Sequence, residues 1–95
     1  MTERGVRRVV CAAMLSPDQN VLVVGARHGD AVMRRQLEAF KTANYHRWQE
    51  GFIDQWGAFM TRKEAWAVAE AQGQVLFRCG GDGADRFGLF SENLY

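Results

Sequence analysis

The residues of this sequence that are best suited to chemistry lie in one short polar segment, GARHGD at positions 25–30. An apolar run precedes the segment and an amphipathic helical pattern follows it, so the pattern predicts a strand-to-helix turn. Free N–H groups at a helix start carry partial positive charge, and the Arg27 guanidinium adds donors that suit a phosphate. With His28, the segment predicts an anion-binding corner. In the alternative, Asp30 only caps the helix and the other two side chains are solvated.

Other side chains along the sequence could complete a nucleotide site. A guanidinium binds phosphate, an aromatic ring stacks on a base, and Ser or Asn can read a base edge or a ribose. The candidate ligand-binding residues are Arg27, His28, Arg34, Phe52, Trp56, Ser91, Asn93 and Tyr95. For the aromatic residues, the alternative interpretation is packing in the core.

The residue types favour binding over catalysis. Neither histidine accompanies a Ser or Cys nucleophile in a recognisable turn, and the sequence lacks a Gly-x4-Gly-Lys-Ser/Thr phosphate loop. Residues 62–73 faintly resemble the metal-binding helix of Nudix hydrolases, but the adjacent pair of glutamates is missing and Glu64 fits a capping box with Thr61. A Nudix-like hydrolase is therefore the least favoured alternative. Because Cys79 and the two histidines lack zinc-site spacing, we expect neither a metal nor a cofactor.

Length and composition narrow the function classes. A length of 95 residues predicts one small α+β domain over positions 1–95. Its 3 Trp, 6 Phe and 2 Tyr are more aromatic side chains than a thin core would bury. The excess predicts a homo-oligomer, in which some of these side chains are buried between subunits. A net charge of +1 argues against binding of long nucleic acid. The sequence has no apolar run of about 20 residues and no signal-peptide pattern, so we expect a cytoplasmic protein that does not bind membranes.

The first half of the sequence predicts a hairpin covered by a helix. Residues 7–15 and 20–25 are apolar and flank the turn sequence SPDQ, which indicates an antiparallel hairpin with both faces covered. A helix from Asp30 to about Lys41 would pack on it through Met33, Leu37 and Phe40. Residues 42–50 show no clear period and predict a flexible or interface-forming link.

The second half predicts a small hairpin, a second helix and C-terminal strands. Residues 51–60 form two short apolar runs around a glycine turn. The second helix begins at Arg62 after the Thr61 and Glu64 capping box and ends at Gly73. Residues 74–78 have a strand pattern, residues 79–85 predict a mobile glycine-rich turn, and residues 89–95 close the chain.

Five segments, in order, resemble a family of small phage-encoded proteins, and within it the first type of Thoeris anti-defence protein. They are VCAA at 10–13, GARHGD at 25–30 with Met33 and Arg34, QEGFID at 49–54, TRKEA at 61–65, and LFSENLY at 89–95. The resemblance implies a non-enzymatic sponge that sequesters cyclic ADP-ribose isomers made by bacterial TIR-domain proteins, in the host cytosol. It also implies dimers or larger rings with ligand at subunit boundaries, and uptake of cyclic oligonucleotides by some members.

A second hypothesis is a protein-interaction module. In that case the aromatic excess and Tyr95 would contact a partner protein, and no nucleotide would raise the thermal stability of the chain. The sponge hypothesis predicts the opposite, because a ligand that binds only the folded state stabilises it.

Overall fold

The computed structural model describes residues 5–18, 20–40 and 47–95. The elements are β1 (Val9–Leu15), β2 (Leu22–Gly25), α1 (Ala31–Ala39), β3 (Gln49–Asp54), β4 (Phe59–Thr61) and α2 (Arg62–Ala71), followed by a 3-10 helix at Ser91–Asn93. The strands form one antiparallel sheet in the order β2-β1-β3-β4. This confirms the predicted α+β class and the predicted succession of hairpin, helix, hairpin and helix.

The core lies on one face of the sheet. Ala12 is opposite Gly25 on β2 and opposite Phe52 on β3, and Phe52 is opposite Met60 on β4, so these positions share that face. The helices pack against it through Met33 and Leu37 of α1 and through Ala65, Trp66 and Ala69 of α2. On the other face, Ala13 is buried, but five apolar side chains are only partly buried, so a single chain does not cover both faces as predicted. These side chains are Cys11, Leu15, Val24, Ile53 and Phe59.

Helix α1 begins at the predicted turn because Asp30 caps it. The Asp30 carboxylate accepts the backbone N–H of Met33 at 2.8 Å and that of Arg27 at 3.0 Å. Gly25 makes room for this carboxylate, since a Cβ there would lie 2.6 Å from Asp30 Oδ1. The helix is shorter than expected: Phe40 is its C-cap, and the side chain is 55 % exposed instead of packing in the core.

Helix α2 starts as its sequence predicts. The Thr61 hydroxyl accepts the N–H of Glu64 at 3.1 Å, and the Glu64 carboxylate accepts the N–H of Thr61 at 2.8 Å. Gly73, at a φ of 69°, follows the helix in the left-handed conformation. The small hairpin before the helix is also confirmed, and the Asp54 carboxylate at its turn accepts the N–H groups of Trp56 and Ala58.

The C-terminal third differs from its predicted strands. The N–H groups of Leu76 and Phe77 both donate to the carbonyl of Asn93, which is a converging arrangement and not a ladder. The Gln74 carboxamide, instead of its backbone, pairs with the N–H and C=O of Val9. Within residues 47–95, the part after α2 contains one isolated bridge, between Gly83 and Gly88.

Two further expectations concern the link and the membrane. Residues 42–46 of the predicted link lie outside the described residues, whereas Gln49 and Glu50 at its end belong to β3. Neither helix of the described chain has the length and apolar character needed to cross a bilayer.

Candidate functional site

A cavity of about 420 Å³ opens between α1 and the end of the sheet. It is called the His28 cavity here, and its lining residues are Met14, His28, Gly29, Arg34, Leu37, Trp48 and Glu50. Its floor is apolar, one wall is aromatic, and its polar groups are an imidazole, a guanidinium and a carboxylate. A volume of this size falls within the range of small-molecule sites, roughly 300–1,000 Å³.

His28 is fixed in the cavity wall by three contacts. Its Nε2 lies 2.8 Å from the Gly51 carbonyl, its Nδ1 lies 3.5 Å from Nη2 of Arg62, and its ring meets the Phe52 ring edge-on at 5.2 Å. Burial and the nearby Arg62 charge lower the pKa of His28. The neutral ring therefore donates from Nε2 to the carbonyl, and Nδ1 accepts from the guanidinium.

Arg62 ties this wall to the rest of the molecule. Its guanidinium bonds to the Glu50 carboxylate at 2.5 Å and to the Leu89 carbonyl at 2.8 Å, and it lies over the Phe90 ring at 4.9 Å. Sequence reasoning treated Arg62 only as a helix start and missed Trp48 and Glu50. No local pattern in the sequence places Trp48 and Glu50 at the cavity; Glu50 reaches it through the register of β3 on β1, where it is opposite Met14.

Arg34 is the predicted candidate whose charge faces the His28 cavity. It follows the capped start of α1 by one turn, and its side chain is exposed. Within the described residues, no carboxylate lies within ion-pair distance of its guanidinium. The neighbouring Arg35 is also exposed but does not line the cavity. The structure thus brings together two of the predicted residues, His28 and Arg34.

Arg27 lies elsewhere, in a cluster that we call the C-terminal clasp and that consists of Arg27, Glu92 and Tyr95. The guanidinium donates to the main-chain oxygen of Tyr95, lies 3.4 Å from the Glu92 carboxylate and is 5.5 Å from the Tyr95 ring centre. The Tyr95 hydroxyl donates to the carbonyl of Ala26 at 2.6 Å. Asp30 accepts the Met33 N–H at the helix start, and the clasp contacts the Arg27 guanidinium, so the protein's own groups occupy part of the predicted anion corner.

The remaining predicted residues lie away from the cavity opening. Phe52 is completely buried, as are the side chains of Ser91 and Asn93, so a ligand at the surface does not reach them in this structure. The Asn93 amide donates to the Phe77 carbonyl and to Asp82, and its oxygen accepts the N–H of Phe90. Trp56 is half exposed at the tip of the β3–β4 turn.

Asp82 holds the glycine-rich segment that the sequence predicts to be mobile. Its carboxylate accepts two hydrogen bonds from the Arg78 guanidinium at 2.8 Å each, one from the N–H of Cys79 and one from Asn93. The Arg78 bonds and then the Cys79 bond lower the pKa of Asp82. The segment is a turn that the buried Asp82 carboxylate cross-links to Arg78, Cys79 and Asn93.

A family model described as "Phage T4 y16D protein" matches residues 8–95. No curated protein and no solved structure matches the chain.

Proposed function

The chain belongs to the phage T4 y16D protein family, and from that premise we propose that it binds a small phosphorylated nucleotide in the His28 cavity and sequesters it unchanged. The proposed ligand is a cyclic ADP-ribose isomer or a related cyclic nucleotide signal of the infected bacterium. Binding would withdraw the signal from the host's immune effector in the cytoplasm.

The observation that carries the proposal is the combination of groups around one cavity. Arg34 offers a guanidinium to a phosphate, Trp48 offers a ring to a base, and Met14 with Leu37 supplies an apolar floor. The Glu50 charge beside them is compensated by Arg62, so it opposes an anionic ligand less than an unpaired carboxylate would.

The groups that could perform chemistry are already engaged within the protein. Both ring nitrogens of His28 have partners, Gly51 and Arg62, and burial disfavours its protonated form. Glu64, the acid of the Nudix-like segment, is used by the capping box. These contacts support binding without hydrolysis.

The test is to titrate the protein with cyclic ADP-ribose isomers by calorimetry, and then to heat the complex and identify what is released. We expect intact ligand. Arg34→Gln should weaken binding about tenfold or more, since a hydrogen bond to a charged group contributes about 1.5–3 kcal/mol. Arg35→Gln is the matched control and should change the affinity less than about twofold. A released hydrolysis product, or equal effects of the two variants, would overturn the proposal.

The proposal includes a homo-oligomer. The sheet face opposite the helices carries Cys11, Leu15, Val24, Ile53 and Phe59, which are apolar and only partly buried in one chain. We propose that a second copy of the chain covers this face. Light scattering after gel filtration should give a multiple of the 10.8 kDa chain mass, and Ile53→Glu should yield the monomer mass. A monomeric native protein would contradict the proposed assembly.

A protein-interaction module stays a second candidate because of one observation. Leu76 and Phe87 are each 67 % exposed and Phe77 is 55 % exposed, all in the segment after α2. This candidate predicts no nucleotide-dependent thermal shift, and a reproducible shift that requires Arg34 would exclude it as the sole function.

A further inference from the structure

A second cavity, also of about 420 Å³, lies on the other side of Trp48. It is called the Phe40 cavity here, and its lining residues are Ser16, Pro17, Asp18, Val21, Phe40 and Trp48. Trp48 lines both cavities. The two cavities therefore adjoin at Trp48, which marks the boundary between them.

The two cavities follow the same groove between α1 and β1. Leu37 lines the first cavity and Phe40 the second, and three residues of helix correspond to a rise of about 4.5 Å. On the strand side, Met14 lines the first cavity and Ser16 lines the second, and two residues of extended chain span about 7 Å. The cavities thus lie side by side, close enough for one nucleotide to enter both.

The two cavities differ in the sign of the charged residue that lines them. Arg34 lines the His28 cavity, whereas Asp18 lines the Phe40 cavity. Two hydrogen bonds hold this carboxylate, from the Ser16 hydroxyl at 2.5 Å and from the Asn20 N–H at 3.0 Å, and they lower the pKa of Asp18. Because the group is ionised at neutral pH, it repels a phosphate and attracts an N–H donor.

The apolar part of the Phe40 cavity suits a planar ring. Phe40 is 55 % exposed although it ends an amphipathic helix, and Pro17 and Trp48 complete an apolar lining. Nucleobases stack on aromatic faces, and adenine and guanine each present an amino group at an edge. A carboxylate beside such an apolar lining can accept a hydrogen bond from that amino group.

We propose that the Phe40 cavity is the base subsite of the nucleotide site: a purine packs against Phe40 and Trp48, its exocyclic amino group donates to Asp18, and its phosphate contacts Arg34 across the Trp48 boundary. This inference rests on the proposed nucleotide binding and adds the orientation of the ligand and its base preference. It predicts selection for amino-bearing purines.

Asp18→Asn tests the subsite with little disturbance of the turn. The asparagine oxygen can still accept from Ser16 and Asn20, while the second oxygen becomes an amino group that repels a donor. The probes are AMP, purine riboside 5′-monophosphate, which lacks the amino group, and ribose 5-phosphate, which lacks the base. Asp85→Asn, at an exposed carboxylate that does not line this cavity, is the matched control.

We expect the native protein to bind AMP about tenfold more tightly than the purine riboside phosphate, and Asp18→Asn to abolish that preference. Ribose 5-phosphate should bind both proteins equally, and Phe40→Ala should weaken both purines by a similar factor. If Asp18→Asn binds AMP as the native protein does while Arg34→Gln weakens all three probes, the base subsite is wrong and the proposed function stands. If the native protein binds a cyclic ADP-ribose isomer but none of the probes, the base subsite is wrong and the proposed function stands. If it binds neither the isomers nor the probes, both fail.

Discussion

Two adjacent residues of the β2–α1 turn enter two different regions of the molecule. The Arg27 side chain contacts Glu92 and Tyr95 in the C-terminal clasp, whereas the His28 ring contacts Gly51 and Arg62 beside the His28 cavity. In the clasp, other groups of the protein contact the Arg27 guanidinium, and among the described residues its buried Nη1 has an ion-pair contact with Glu92 but no hydrogen-bond partner. In the cavity, Arg34 faces open space. A run of polar residues therefore does not define a site, because the chain directs successive side chains to different neighbours.

The largest effect should come from the C-terminal region, at Asn93. Asn93→Ala would remove the hydrogen bonds of the buried Asn93 side chain to Phe77, Phe90 and Asp82. The Phe77 carbonyl and the Phe90 N–H would lose these partners, whereas Asp82 would keep its bonds to Arg78 and Cys79. We expect the free energy of unfolding to fall by roughly 2–4 kcal/mol, measured by urea denaturation. Asn20→Ala, on the surface, is the control and should cost less than about 0.5 kcal/mol. A cost below that of the control would mean that Asn93 does not organise this region.

Arg27→Ala should have a moderate effect on stability and little effect on affinity. The Arg27 side chain is 41 % exposed, and solvent screens its ion pair with Glu92. We therefore expect the free energy of unfolding to fall by about 1 kcal/mol. Nucleotide affinity, measured by calorimetry, should change less than about twofold. The opposite result, a large loss of affinity with unchanged stability, would return Arg27 to the binding site that its sequence suggests.

His28 should make the stability depend on pH in one direction. Because burial lowers its pKa in the folded state, the unfolded chain binds the proton more readily. Stability should therefore fall as the pH decreases below the ordinary histidine value of about 6.5. Thermal unfolding between pH 7.5 and 5.5 would measure this slope, and His28→Gln, which retains an N–H donor for Gly51, should reduce it. If the variant has the same slope as the native protein, other titratable groups cause the pH dependence of stability.

Arg34→Gln should have the smallest effect on stability. Its side chain is exposed on α1, and Gln is also a good helix former, so we expect a change within about 0.5 kcal/mol in urea denaturation. Together with the loss of affinity expected above, this would separate a binding residue from a structural one. A large loss of stability would instead place Arg34 with the clasp residues, as part of the framework.

The local elements could be predicted because their signals lie within a few residues. The capping box of Thr61 and Glu64 and the Asp30 cap involve side chains three positions from the N–H groups they accept. The expectation for residues 74–78 failed for the opposite reason. The Gln74 carboxamide bonds to Val9, 65 positions earlier, and replaces the backbone pairing that a strand would need.

The candidate site also contains residues that could be predicted from the sequence and residues that could not. His28 and Arg34 could be named from the sequence because a turn and the first turn of a helix place them close together. Trp48 and Glu50 could not, since they reach the cavity through the pairing of β3 with β1, where Glu50 lies opposite Met14. Ser91 and Asn93 have residue types that suit a ligand, and only the packing around Asp82 shows them to be interior.

By itself, the sequence determined the α+β class, the two helix starts and the two hairpins, since periodicity and capping act over distances of a few residues. The tertiary structure alone decided which charges meet each other and which face a cavity. Arg27 and Tyr95 are 68 positions apart and bond to each other, while Arg34 faces the His28 cavity. Coulombic and hydrogen-bond energies depend on separation in space, and separation along the chain does not fix that distance.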